Sequence, residues 1–368
     1  MLLTDSMLAP IIALRHTLHT IPELSGRETE TMETLKAFLR QNTTCTVHEQ
    51  DGWFYARREI APDLPTIAFR ADTDAIVCAA TGQPYHGCGH DGHAAALAGL
   101  AYLTEQLQDV LRCNLLFVFQ PAEETGEGAK QCCSVFSHET IAAIYGCHTI
   151  PGFPHRTILL RDDVFACASR GMILHFSGRQ SHAAYPETGC NPASVIAHLT
   201  AELESLTQTT EAGGRGMVLT TVVGIQVGGR NFGVSPGDGE LCLTVRAHYE
   251  SDLEQLTDAI TERAQNLCDG KGICLDTAYI DVFPDTVNDA ALVEELRAKL
   301  DAASIPHITL ADPMRWSEDF GHYCRHVPGL FFGIGSGEHA PALHTDEFTF
   351  DDTLLPRILE AWLAAIGV

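Results

Sequence analysis

Apolar positions along the first third of the chain fall into two alternating rhythms. Residues 11–18 and 27–39 repeat them at the helical interval, and Ser25 opens the second stretch with Glu28 three residues on, the arrangement of a capping box. Continuous apolar runs at 66–70 and 113–119 read as buried strands, separated by an alanine-rich helical stretch at 93–107. A third run, 141–147, ends at His148. This alternation predicts an α/β domain on a mixed, mainly parallel sheet, in which chemistry collects at the carboxyl ends of the strands. Asp72, Asp74, Glu123, Glu124 and His148 all follow such runs.

From about residue 167 the rhythm changes. Segments 171–176, 191–206, 217–227, 239–249, 252–267 and 273–282 read in order as strand, helix, strand, strand, helix, strand, the split-βαβ pattern of a ferredoxin-like α+β domain. Residues 290–302 return as a helix, 330–334 as a short strand and 353–366 as a last helix. The expected organisation is a catalytic domain in two parts, 1–166 and 283–368, interrupted by an inserted domain at 167–282.

Composition narrows the function classes. A chain of 368 residues with 45% hydrophobic content has room for two cores. A formal charge of −25 would repel nucleic acid and anionic membranes, so neither is an expected partner, and its even spread favours solubility. No apolar run reaches membrane-spanning length, and residues 1–18 lack the ordered parts of a signal peptide. Thirteen cysteines, an odd number at scattered spacings, do not resemble a secreted disulfide framework; a reducing cytoplasm is the expected location.

The chemistry concentrates in His86-Gly87-Cys88-Gly89-His90-Asp91-Gly92-His93, which puts one thiol and three imidazoles in eight residues. Thiolate and neutral imidazole suit borderline divalent cations, and Cys88 and His90 reach one site if the backbone turns at Gly89. In Gln120-Pro121-Ala122-Glu123-Glu124, adjacent glutamates after a buried strand can face different ways, one toward metal and one toward proton transfer. Asp72 or Asp74 could orient a histidine ligand from behind. His148 and His344 carry little weight singly, because a lone histidine is more often surface or hydrogen-bonded core.

Together these segments resemble a known group. Arg15-His16-Thr17-Leu18-His19, Pro22-Glu23-Leu24-Ser25, Arg70-Ala71-Asp72-Thr73-Asp74-Ala75, the histidine-rich octapeptide, Gln120 to Glu124 and Gly146-Cys147-His148 are similar to motifs of the metal-dependent amidohydrolases that include aminoacylases, hippurate hydrolases and plant auxin-conjugate hydrolases. The match continues through Ser181-His182-Ala183-Ala184-Tyr185-Pro186, Val287-Asn288-Asp289, Ser317-Glu318-Asp319-Phe320 and Leu343-His344, across almost the whole chain. The resemblance implies a two-domain enzyme with a dinuclear metal site, a dimer-forming inserted lid, and hydrolysis of N-acyl amino acids by metal-activated water. It implies Cys88, His90, Glu124, His148 and His344 as ligands of two divalent ions, Glu123 as general base, and His182 as an oxyanion donor to the neighbouring subunit; Asp74 is counted with the catalytic residues. Zinc, manganese, nickel and cobalt all suit such mixed ligands, and the bridging ligand is left open. A free α-carboxylate on the substrate calls for a cation or amides, for which Arg246 and Asn231 are the candidates.

Three stretches depart from the pattern. The loop between Ala75 and His86 is shortened and carries Ile76-Val77-Cys78 in place of the usual Leu-Pro, which bears on acyl specificity. Arg179-Gln180-Ser181 replaces a glycine pair, and residues 231–236 replace an Asn-Val-Ile-Pro stretch. Dipeptidase or carboxypeptidase-type hydrolysis is the nearest alternative function. A non-catalytic metal-binding dimer is a further one, disfavoured by the intact Glu123 and five intact ligand positions. A redox role lacks the Cys-x-x-Cys pair it would need.

Overall fold

Three strands with every residue buried, Asn114–Gln120, Ala143–Ile150 and Gly329–Gly335, run through the middle of an eight-stranded sheet. The computed structural model describes residues 3–368. Across the sheet the order is Thr46–Glu49, Phe54–Arg58, Asn114–Gln120, Thr66–Asp72, Ala143–Ile150, Gly329–Gly335, Ile158–Leu160 and His307–Thr309. The four inner strands from Asn114–Gln120 to Gly329–Gly335 pair parallel, as does the last pair, whereas the remaining neighbours are antiparallel. Continuous runs such as Leu115-Leu116-Phe117-Val118-Phe119 suit strands covered on both faces, so the mixed, mainly parallel α/β sheet agrees with the apolar pattern.

Helix His90–Thr104 is buried almost all round, which its alanine and glycine content permits. It packs on strand Thr66–Asp72 and against helices Asp5–His19, Thr29–Asn42 and Leu355–Ala365. It starts at Gly89, whose φ of +90° is costly for any residue with a side chain, and a Cβ there would sit 2.9 Å from Thr149 Cγ2. The turn before the helix thus depends on glycine, and it brings Cys88 and His90 to the carboxyl edge of the sheet.

The chain forms two compact units: residues 1–165, 286–313 and 319–368, and residues 166–285 with 314–318. The second takes the short segment 314–318, which a division at 282/283 does not foresee. Its sheet has the order Val218–Val227, Asp238–Ala247, Ala168–Ser177, Cys274–Phe283, all antiparallel, with helices Ala193–Gly213 and Glu250–Cys268 packed on it through a core of its own. Strand order and connections are those of the split-βαβ pattern.

The capping box expected at Ser25 and Glu28 does not form. Glu23 caps the helix instead, its carboxylate accepting from the backbone N–H groups of Glu30 at 3.1 Å and Thr31 at 2.8 Å. Ser25 donates to Asp74 Oδ2 at 2.7 Å, and Glu28 accepts from the Ala122 N–H at 2.7 Å. Both residues of the apparent cap are therefore turned toward the carboxyl edge of the sheet.

Below that edge lies an ionic network. Arg70, buried on strand Thr66–Asp72, donates to Asp72 Oδ2 at 2.8 Å, Asp319 Oδ1 at 2.7 Å and Gln120 Oε1 at 2.7 Å. Gln120 Nε2 and the Ala129 N–H also donate to Asp319. Removing the guanidinium leaves two buried carboxylates without their countercharge, which typically costs about 3–5 kcal/mol. Arg70→Met, similar in volume, is expected to lower stability by that amount in chemical denaturation followed by tryptophan fluorescence. A loss below about 1 kcal/mol would mean that the carboxylates are neutralised in another way.

Candidate metal centre

Three segments meet at the carboxyl edge: the turn before helix His90–Thr104, the loop after strand Asn114–Gln120, and the end of strand Ala143–Ile150, within which His148 lies. The segment after strand Gly329–Gly335 adds His344, held at φ +63° with its N–H donated to Gly87 O at 2.9 Å. Cys88 Sγ stands 3.4 Å from His148 Nε2 and 3.3 Å from His344 Nε2, and His344 Nε2 stands 3.3 Å from Glu124 Oε1. The donor atoms form two groups that share the thiol, Cys88 with His90 and His148, and Cys88 with Glu124 and His344. Tetrahedral donors about 2.0–2.3 Å from one cation lie about 3.3–3.8 Å apart, so these spacings fit metal ligation without rearrangement.

Two of the histidine donors are aimed by a second bond. His90 Nδ1 meets Asp74 Oδ1 at 3.0 Å, which leaves Nε2 buried with no hydrogen-bond partner, 3.9 Å from Glu124 Oε1 and 4.0 Å from Glu123 Oε2. A buried nitrogen left bare between carboxylates is a vacant ligand atom of the kind a cation satisfies. His148 Nδ1 donates to Thr149 O at 2.7 Å, so its Nε2 lone pair faces Cys88. Asp74 also accepts from Ser25 Oγ and, at 3.0 Å, from the Glu124 N–H, tying one candidate histidine donor and one candidate glutamate donor together.

His93 differs from its neighbours in the octapeptide. Its Nε2 accepts from the Thr149 N–H at 3.0 Å, so its Nδ1 carries the proton donated to Asp72 Oδ1 at 2.8 Å. With both ring nitrogens used, His93 braces the edge strand and is not placed to ligate. Asp72 and Asp74, indistinguishable by spacing, thus serve different histidines.

The electrostatics call for cations. Burial disfavours charge on His90, yet Asp72, Asp74 and Glu124 outweigh it and push the pKa up to about 10. Burial, reinforced by Glu124, Glu123 and Asp72, holds the Cys88 thiol well above its ordinary value. Burial and then His93 depress His148 well below its usual range, which keeps the imidazole neutral, the form that ligates. A thiolate at Cys88 therefore requires positive charge beside it, and the side chains present fit two divalent ions.

The remaining sequence candidates lie in the second unit. His182 is exposed on a two-residue strand paired with Val234, and its Nδ1 accepts from the Ala184 N–H at 3.0 Å, leaving the proton on Nε2. Asn231 is exposed, its Oδ1 accepting from the Gly233 N–H at 3.2 Å. Arg246 is half-buried on strand Asp238–Ala247 and donates to Arg315 O at 3.3 Å and Ser317 Oγ at 2.9 Å. Sequence reasoning gave no site role to Ser25, Glu28, Arg70, Gln120, His93 or Asp319; the contiguous motifs containing most of them were the only available signal.

Known proteins match this chain over most of its length. Residues 68–367 fit the model of Peptidase family M20/M25/M40. Among curated relatives, an N-acetyl-L-cysteine deacetylase of Bacillus subtilis is 31% identical over 364 residues, covering 94% of this chain and 84% of that one. An N-acetylcysteine deacetylase of the same organism is 27% identical, covering 92% of each. In fold, the chain is similar to a dinuclear metal-binding peptidase of Bacillus subtilis from the M20 family, with a TM-score of 0.83 at 22% identity, covering 99% of this chain and 98% of the other. The chain belongs to the hydrolases of Peptidase family M20/M25/M40.

Proposed function

We propose that this hydrolase cleaves the amide bond of N-acyl amino acids, releasing a carboxylate and a free amino acid. The observation that carries the reading is the pair of donor groups sharing Cys88, with a buried glutamate beside them. The two deacetylase relatives act, by their names, on N-acetylated cysteine, which favours a short acyl group on a small amino acid here. Bound at Cys88, His90, Glu124, His148 and His344, two divalent ions (zinc, manganese, nickel or cobalt) would supply Lewis acidity, lowering the pKa of water toward about 7 and polarising the scissile carbonyl. Cys88 belongs to both donor groups and would help hold the ions there.

Glu123 takes the proton from the attacking water and passes it to the departing amine. Asp74 acts behind it, holding His90 and the Glu124 backbone in line. Arg246 and Asn231 hold the substrate carboxylate, the guanidinium by two parallel hydrogen bonds. His182, with its Nε2 proton available, donates to the oxyanion in the neighbouring subunit of a homodimer. The substrate is a small molecule met in the cytoplasm. No described helix is long and apolar enough to cross a membrane.

Release of free amine from N-acetyl, N-benzoyl and longer N-acyl amino acids and from dipeptides, by metal-reconstituted enzyme, tests the substrate class; turnover of dipeptides alone would favour the peptidase alternative. Glu123→Gln should keep fold and metal while losing about 10²–10⁴ in kcat, the usual cost of lost acid–base catalysis. Cys88→Ala or Glu124→Ala should lose metal itself, and full occupancy in both variants would contradict the ligand set. Arg246→Lys should raise KM for free acids and leave amide analogues unchanged. Mixed dimers of His182→Ala and Glu123→Gln should regain activity, because one site then has both base and donor; confirmed subunit exchange without recovery would remove His182 from the neighbouring site.

A further inference from the structure

The loop that carries Glu123 and Glu124 is fixed by a residue from a distant part of the chain. Ala122 has a φ of +52°, a left-handed backbone that alanine adopts only when its surroundings impose it. The imposing contacts are visible at both ends of the residue. The Ala122 N–H donates to Glu28 Oε1 at 2.7 Å, while its carbonyl accepts from the Gly128 N–H at 3.1 Å and Thr125 Oγ1 at 3.2 Å. Gly128 is forced by the same packing, since a Cβ there would fall 1.7 Å from Pro121 O. On the carbonyl side the loop is held by its own continuation; on the N–H side the bond to Glu28 spans 94 residues of sequence.

We propose that Glu28 is a positioning residue for hydrolysis: its buried carboxyl pins the Ala122 N–H, locks the left-handed turn, and so fixes the direction in which the Glu123 side chain leaves the backbone. The proposal rests on Glu123 as the base. Glu124 has its own anchor through Asp74, so loss of Glu28 should misdirect the base without releasing metal.

Two observations support a dedicated role. Glu28 sits where its spacing from Ser25 would make it half of a capping box, yet it makes no cap, and Glu23 performs that task. Burial costs its carboxyl enough that, although the Ala122 N–H pulls the other way, the pKa rises to about 7. A buried group of that kind is retained against its own desolvation, and a neutral isostere retains the acceptor oxygen. A cavity of about 390 Å³, bordered by Met32, Trp53, Phe54, Pro121 and Ala122, lies against Glu28, so a truncated side chain there can be replaced by water.

The test uses Glu28→Ala and Glu28→Met, which remove the acceptor with and without side-chain volume, and Glu28→Gln, which keeps it. In metal-free protein, hydrogen exchange of a peptide spanning 120–125 should accelerate by about tenfold in the first two, the factor expected for one lost hydrogen bond, and stay near wild type in Glu28→Gln. In metal-loaded enzyme the same two variants should lose about 10²-fold in kcat with KM and metal stoichiometry retained, and Glu28→Gln should recover most of it. Unchanged exchange in both truncations, equal kcat losses in all three variants, or a loss that tracks metal content would overturn the proposal. An active Glu123→Gln enzyme would instead overturn the base assignment, and the exchange result would still stand as a measure of the Glu28 anchor.

Discussion

Buried negative charge at the carboxyl ends of parallel strands is the constraint from which the rest of this structure follows. Asp72, Asp74 and Glu123 are all buried, Glu124 is nearly so, and Cys88 lies among them. Arg70 is committed to Asp72 and Asp319 below the edge, and the histidines His90 and His344 face Asp74 and Glu124 above it. Desolvated carboxylates that face one another need cations or protons among them. The carboxylates lift the pKa of His90 against its burial, whereas burial first, and then the same carboxylates, raise that of the Cys88 thiol.

A site of that kind must be held rigidly, and the fold supplies the restraint in layers. Asp74 is the hub, joining the N-terminal loop through Ser25, the central helix through His90 and the glutamate loop through the Glu124 N–H. His93 spans Asp72 and Thr149 and keeps strand Ala143–Ile150 in register with the helix start. These groups bond the candidate ligands and the backbone that carries them. They set the ligand geometry, so their loss would appear as altered metal affinity or misdirected catalysis more than as unfolding.

Much of this was legible in the sequence, for reasons that differ between elements. The continuous apolar run at 113–119 and the helical repeat at 290–302 carry no competing signal, and they fold as those patterns place them. The short strands Thr46–Glu49, Ile158–Leu160 and His307–Thr309 carry too few residues for a period and owe their pairing to the sheet they join. Ser25 and Glu28 show the limit of local reasoning, since a spacing that satisfies a helix cap also places two side chains under the active edge, and tertiary contacts decided between them. For the site, motif resemblance brought Cys88, His90, Glu124, His148 and His344 forward, and folding gathers them. Spacing alone could not separate His93 from His90; their difference lies in the Thr149 N–H, a partner 56 residues away.

Anomalous-difference diffraction from crystals of the metal-loaded protein addresses the charge-compensation model most directly. Two peaks about 3.5–4 Å apart are expected, ligated between them by Cys88, His90, Glu124, His148 and His344. A single peak, or a peak ligated by His93 in place of His90, would contradict it.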